Sequence, residues 1–156
     1  MALEKFISSV QEDDILGTLL ALQDVDNLNQ VSEELYGQTV LTFALWLGKS
    51  DIAQMMLGLD LDPNTKNKDG QTPLHFATRS GYFDICKTLI ERGVDINVQD
   101  KDGWSALHYA AYHEHVTLVT LLLQRNADRY SETVAGMTAL TLAKGHGCFT
   151  VVGLLD

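Results

Sequence analysis

The chain is poor in cysteine, poor in bases and free of long apolar runs. Its two cysteines, Cys86 and Cys148, lie far apart in sequence. They do not form a disulfide framework, and they point to a reducing compartment, with the cytoplasm the expected location. Lys and Arg number 11 against 21 Asp and Glu, a formal net charge of −10. Binding to nucleic acid needs a basic patch that displaces counterions, so this balance argues against it. It equally disfavours an anionic membrane surface. No apolar run approaches the roughly 18 residues of a membrane span. The start, Met1-Ala2-Leu3-Glu4-Lys5, has no basic segment followed by an apolar one, so no signal peptide is expected. Glycine-rich phosphate loops, H-E-x-x-H and G-x-S-x-G are all missing. Neither catalysis nor a cofactor is expected from these residues.

What the chain has is repetition. Gly37-Gln38-Thr39-Val40-Leu41-Thr42-Phe43-Ala44 returns as Gly70-Gln71-Thr72-Pro73-Leu74-His75-Phe76-Ala77. It returns again as Gly103-Trp104-Ser105-Ala106-Leu107-His108-Tyr109-Ala110 and Gly136-Met137-Thr138-Ala139-Leu140-Thr141-Leu142-Ala143. The step is 33 residues each time. A fixed period of this size marks a stacked array, and an array offers an extended binding face before it offers a pocket.

Each repeated residue has a physical task. Asp69-Gly70 and Asp102-Gly103 are turn dipeptides, glycine supplying positive φ. Thr72 and Ser105 stand where a helix N-cap is needed. Pro73 follows at the first helical position, where its missing N–H is harmless. Leu74 and Ala77 fall on one helix face, a large residue beside a small one. Gly81 can close the first helix in the left-handed conformation. Ile85, Leu89 and Ile90 give the stripe of a second helix. Each unit is thus turn, helix, tight turn, helix. Helices are predicted over 39–47, 51–58, 72–80, 84–91, 105–113, 117–124, 138–145 and 149–155, with two more before residue 24.

The second copy, with its Thr72-Pro73-Leu74-His75-Phe76-Ala77, Gly81, Gly93, Asp95 and Asn97, resembles the ankyrin repeat. The resemblance covers roughly residues 34 to 156. It implies an all-α ankyrin-repeat solenoid of helix-turn-helix units joined by hairpin-like loops. Repeats are expected at 34–66, 67–99, 100–132 and 133–156, the last incomplete. Residues 1–33 are expected to form a degenerate N-terminal cap in which Ile15, Leu19 and Leu20 align with Ile85, Leu89 and Ile90. The fourth unit lacks a closing segment and carries few charges, so further chain or a partner is expected to cover it.

Departures from the repeat are informative. Thr42 and Thr141 replace His75 and His108, which in ankyrin repeats are usually structural. The middle pair is therefore expected to be the rigid centre. Glu114 stands where the other copies have Gly48, Gly81 and Gly147, and its replacement by glycine is expected to raise stability slightly. His113, Glu114 and His115 could bind a transition metal only weakly, because side chains at i and i+2 diverge on a helix. His146 and Cys148 have no third ligand nearby, so no metal site is expected. The resemblance also raises hydroxylation of the closing Asn64 and Asn97, against which stands a plain hydrogen-bonding role.

The family usually binds proteins along the concave face of hairpin tips and first helices. That implies the partner-binding residues Tyr36, Gln38, Trp46, Asp69, Gln71, Arg79, Asp102, Trp104, Tyr112, His113 and Met137. The same register adds Leu35, Leu45, Lys68, Ser80, Lys101, Val134, Ala135 and His146. Both tryptophans fall in this set, where the fold does not demand them. Trp104, Tyr112 and Met137 could form one patch and Trp46 with Tyr36 another. Trp46 could instead pack on the irregular cap. The expected function is protein–protein interaction as an adaptor, scaffold or targeting array, and the net charge suggests a basic partner. Alternatives are the recruitment segment of a larger enzyme or channel, or a bacterial effector acting in a host cytosol.

Overall fold

The computed structural model describes residues 2–156. Its ten helices fall into five consecutive pairs: α1 (Ala2–Gln11) with α2 (Ile15–Gln23), α3 (Val40–Trp46) with α4 (Ser50–Met56), α5 (Pro73–Arg79) with α6 (Phe83–Glu91), α7 (Ala106–Tyr112) with α8 (Val116–Gln124), and α9 (Ala139–His146) with α10 (Phe149–Leu155). The first helices stack in one layer, α3 on α5 on α7 on α9. The second helices stack in another, α2 on α4 on α6 on α8 on α10. The fold is the expected all-α solenoid, and the eight repeat helices start and end within two residues of their predicted bounds. The one isolated bridge among the described residues joins Ser32 and Gln38.

The apolar side of every helix faces a neighbouring unit, so one continuous core runs through the stack. Leu74, Ala77, Leu107 and Ala110 are buried in the first layer, Ile85, Leu89, Ile90, Leu118 and Leu122 in the second. Alanine at 77, 110 and 143 lets successive helices approach closely, and leucine at 74 and 107 fills the space beside it. The hairpins are also tightly stacked. A Cβ on Gly103 would lie 2.7 Å from the Val134 nitrogen. Its φ of +77° excludes other residues for a second reason.

One position links each unit to the one before it. Lys49, Tyr82, His115 and Cys148 stand at the N-caps of the four outer repeat helices, α4, α6, α8 and α10. Lys49 Nζ reaches Asp13 at 2.7 Å. The Tyr82 hydroxyl donates to the Gly48 carbonyl at 3.1 Å, and His115 Nε2 to the Arg79 carbonyl at 3.2 Å. The Cys148 thiol donates to Glu114 at 2.7 Å. Four different side chains perform one task, because any donor of sufficient reach at this place can cross the gap.

The N-terminal unit departs from the expected register. Its second helix buries Thr18, Ala21 and Leu22, three positions on from the alignment with Ile85 and Leu89. Ile15 and Leu20 are consequently exposed, not core. Thr18 takes the core slot because its hydroxyl donates to Asp14 O and Ser9 Oγ. The next turn is also irregular. Glu33–Leu35 form a short 3₁₀ segment, and Tyr36 takes the left-handed conformation at φ 57°. That turn drives Leu35 into the core.

Candidate functional site

The loops that carry the site are fixed from beneath by one side chain each. Asn67 Oδ1 accepts the amides of Asp69 and Gln71 at 2.9 and 2.8 Å. Asp100 Oδ1 accepts those of Asp102 and Trp104 at 3.0 and 2.9 Å. Thr133 Oγ1 accepts the Met137 amide at 3.2 Å. Three polar residues at the 33-residue step thus hold the residue after each glycine.

That residue changes character along the array. Gln38 is buried, and its Oε1 accepts a hydrogen bond from Asn67 at 3.0 Å. Gln71 is half-buried, donating to the Tyr109 hydroxyl at 3.2 Å. Trp104 is half-buried and Met137 is 37% exposed. Gln38 therefore belongs wholly to a polar seam between units and Gln71 in part, while Trp104 and Met137 offer apolar surface. Gln38 is a correction to the expected binding set: its amide is spent on Asn67. Leu35 and Leu45 are also buried and leave the concave face, the first through the 3₁₀ turn and the second through packing in the first layer.

Around Trp104 the aromatic residues converge. Its ring centroid lies 5.0 Å from Tyr109 and 5.4 Å from Tyr112, the latter edge-on. Tyr112 in turn meets His146 of the next unit at 4.2 Å and His113 at 5.0 Å, both edge-on. The indole stands on Tyr109, whose hydroxyl donates to Asp100 at 2.7 Å. Burial and that carboxylate push the Tyr109 hydroxyl above its ordinary pKa. Trp104 is thus a braced side chain that remains half-exposed.

Tyr36 and Trp46 also meet, at 5.7 Å, and both approach Phe43. Phe43 is fully buried and its ring centroid lies 5.9 Å from that of Phe6 in α1. Trp46, 43% exposed, is the rim of a core cluster shared with α1. The two aromatic groups differ in this respect: the second one rests on an apolar core, the first on a hydrogen-bonded seam.

The charged members are arranged less evenly than the total suggests. Asp69 is paired with Lys101 at 3.6 Å, and Lys68 and Asp102 are exposed at the same tips. Arg79 ends α5 with its guanidinium 5.5 Å from the Phe76 ring centroid. His113 is held below its ordinary pKa by burial and then by the positive charges of His115, Arg79 and His146.

His75 and His108 are not part of this surface. The Nδ1 of His75 accepts the Thr72 amide at 3.0 Å, and its Nε2 donates to the Val98 and Trp104 carbonyls at 3.0 and 3.1 Å. His108 repeats this with Ser105, Ser131 and Met137. Burial lowers both pKa values, which keeps the rings neutral in the tautomer these bonds require. The cysteines are buried thiols, Cys86 pushed up to about 12 and Cys148 to about 11, which removes them as nucleophiles at neutral pH. Among the described residues no group of three or more His, Cys, Asp or Glu is placed to hold a metal. Asn64 and Asn97 accept the amides of Asp95 and Asp128 at 3.0 and 2.9 Å, a structural role.

Two features were missed by reading residues in isolation. Tyr109 sits at an apolar position of the repeat, where nothing signals a hydroxyl that closes a network. The ladder of Lys49, Tyr82, His115 and Cys148 hides behind four unlike residues, although the 33-residue step alone aligns them.

Five stacked helix pairs define a helical-repeat solenoid. A family model described as ankyrin repeats (3 copies) matches residues 6–100, and another, ankyrin repeats (many copies), matches residues 79–123. The chain belongs to the ankyrin-repeat family, whose domains generally serve protein–protein interaction and are typically non-catalytic. No curated protein matches it. Among the described residues no helix is long and apolar enough to cross a membrane.

Proposed function

We propose that this chain is an adaptor, scaffold or targeting module that holds a protein or peptide on its concave face, centred on Trp104 and Tyr112. The observation that carries the reading is the packing of Trp104. Its backbone is fixed by Asp100, its ring is braced by Tyr109 and Tyr112, and the side chain is still half-exposed. A large side chain already held in place loses little entropy on binding, which is what an interface anchor requires. Met137 and the tips at Asp69 and Asp102 extend the surface, and Tyr36 with Trp46 forms a separate contact area. Catalysis lies outside these residues in this reading, and the free buried cysteines favour the cytoplasm. Residues 1–33 act as a capping unit for repeats at 34–66, 67–99, 100–132 and 133–156.

Affinity capture with wild-type and Trp104→Ala protein tests the reading. Partners held by the wild type should be weakened by about 2 kcal/mol or more in the variant. The control is Lys87→Ala on the outer helix α6, where the side chain is half-exposed and only 4.0 Å from Glu91. Arg92, on the same side, is unsuitable, because its guanidinium donates to the Leu57 carbonyl of the preceding unit. Partners equally retained by Trp104→Ala would remove the concave face from consideration.

A further inference from the structure

Basic side chains gather on the surface beside Trp104, against the sign of the molecule as a whole. Arg79 is exposed at the end of α5, and among the described residues no carboxylate pairs with it. His113 and His146 flank Tyr112, one on each side, at 5.0 and 4.2 Å. Three of the carboxylates nearby already have partners, while Asp102, exposed at the third tip, stands outside the strip. Glu114, next in sequence to His113, accepts the Cys148 thiol at 2.7 Å. Asp100 is buried, and its oxygens are taken by two amides and the Tyr109 hydroxyl. Asp69 is paired with Lys101.

We propose that the strip formed by Arg79, His113 and His146 around the Trp104–Tyr112 pair receives an acidic peptide segment of a protein partner. The inference rests on the concave-face reading above and gives the ligand its charge. An unpaired guanidinium offers a planar fork that fits a carboxylate with two parallel hydrogen bonds. The aromatic pair supplies apolar contact for the side chains between the acids. The net charge of −10 does not oppose this at close range. Charges beyond about 10 Å are screened at roughly 0.1 M salt, so the local groups decide the sign. The expectation of a basic partner, drawn from total charge, gives way to this local one.

His113 makes the affinity depend on pH. The groups that His113 feels are His115 from the α7–α8 turn, Arg79 from α5 and His146 from α9, and all disfavour its proton. A bound carboxylate reverses that and draws a proton onto the ring. Binding therefore takes up protons, and affinity strengthens as pH falls from about 8 to about 6.

The test is selection of a random dodecapeptide display library on the folded protein, followed by fluorescence anisotropy of the enriched peptides. Enriched peptides should be net acidic. They should bind at least about tenfold more weakly to Arg79→Glu and to Trp104→Ala, and Arg79→Gln should give an intermediate loss. His113→Gln should flatten the pH dependence. Melting by circular dichroism checks that each variant is folded; Arg79, being exposed, keeps the test valid if Trp104→Ala is destabilised. Enriched peptides that are neutral or basic yet lost in Trp104→Ala would overturn the acidic inference and leave the concave-face reading intact. Peptides indifferent to both Arg79→Glu and Trp104→Ala would overturn both. A library that yields no enriched peptide overturns the inference as well.

Discussion

The junctions that follow His75 and His108 differ from the one that follows Thr42. All three first helices begin with the same reciprocal cap, a side chain at the N-cap and another three residues on. In the Thr42 unit that exchange ends within its own helix: Thr39 N–H donates to Thr42 Oγ1 at 2.8 Å and Thr42 N–H to Thr39 Oγ1 at 3.3 Å. In the histidine units the far side of the ring continues outward. Its Nε2 donates to a carbonyl of its own closing segment and to one of the next hairpin. Imidazole spans what a hydroxyl cannot. One substitution at a fixed repeat position thus changes a local cap into a cross-link between units. Trp104 and Met137 supply the two next-hairpin carbonyls, so the candidate binding face is held by the stapled centre.

The largest effect should come from emptying that centre. Leu107 is fully buried in α7. Leu107→Ala should destabilise by about 2–5 kcal/mol through lost transfer energy and a residual cavity, read by urea unfolding. A near-neutral result would mean that the core does not run through the first layer.

Next comes the staple itself. His108→Thr should keep a cap and lose the reach to Ser131 and Met137, leaving the Ser131 carbonyl without this donor and the Met137 carbonyl with the Thr133 amide alone, for a loss of about 1–3 kcal/mol. Thr42→Ala removes only the local exchange and should lose about 1 kcal/mol. Equal losses would dissolve the distinction between the two kinds of junction.

The staples also set a pH dependence. His75 and His108 have folded pKa values below the ordinary 6.5, so below that pH the unfolded chain binds more protons than the folded one. Stability should be at its full value above pH 6.5 and fall as the pH drops below it, towards the folded pKa values. Melting followed between about pH 7 and pH 5 should show this decline, and a His75→Thr, His108→Thr double variant should show less of it.

The smallest effect concerns Glu114. Its φ of 59° is left-handed, as the glycines at the equivalent positions are, so glycine should relieve about 1 kcal/mol. The same change removes the acceptor of Cys148. Glu114→Gly alone should therefore be close to neutral, and it should raise the melting temperature in a Cys148→Ala background. No difference between the two backgrounds would remove the thiol link from the account.

Residues with one local duty were legible in the sequence. Pro73, Thr72, Leu74 and Ala77 have roles set by helix geometry alone, and their places followed from the repeat. What escaped depended on neighbours in space. Gln38 and Gln71 look like tip residues until Asn67 and Tyr109 are placed beside them. Leu20 changed sides because the N-terminal unit does not keep the register, and no pattern inside residues 1–33 reveals a shift of three; Leu35 did so through the 3₁₀ turn. The link from Arg92 to a backbone carbonyl one repeat back has no sequence signature. The site shows the same division. Trp104 stood out as an unneeded aromatic residue, whereas the local charge around it emerged only with Glu114 and Asp69 seen already paired.

The stapled centre can be measured at three equivalent amides. Lys68 N–H donates to Gly37 O at 3.0 Å across the threonine junction. Lys101 N–H donates to Asp69 O at 3.0 Å across the His75 junction, and Val134 N–H to Asp102 O at 2.9 Å across the His108 junction. The bonds match in length, so differences in native-state hydrogen exchange report the opening of each junction. The account predicts slower exchange at Lys101 and Val134 than at Lys68, with His75→Thr bringing Lys101 to the Lys68 rate. Equal protection at all three, or faster exchange at Lys101, would contradict it.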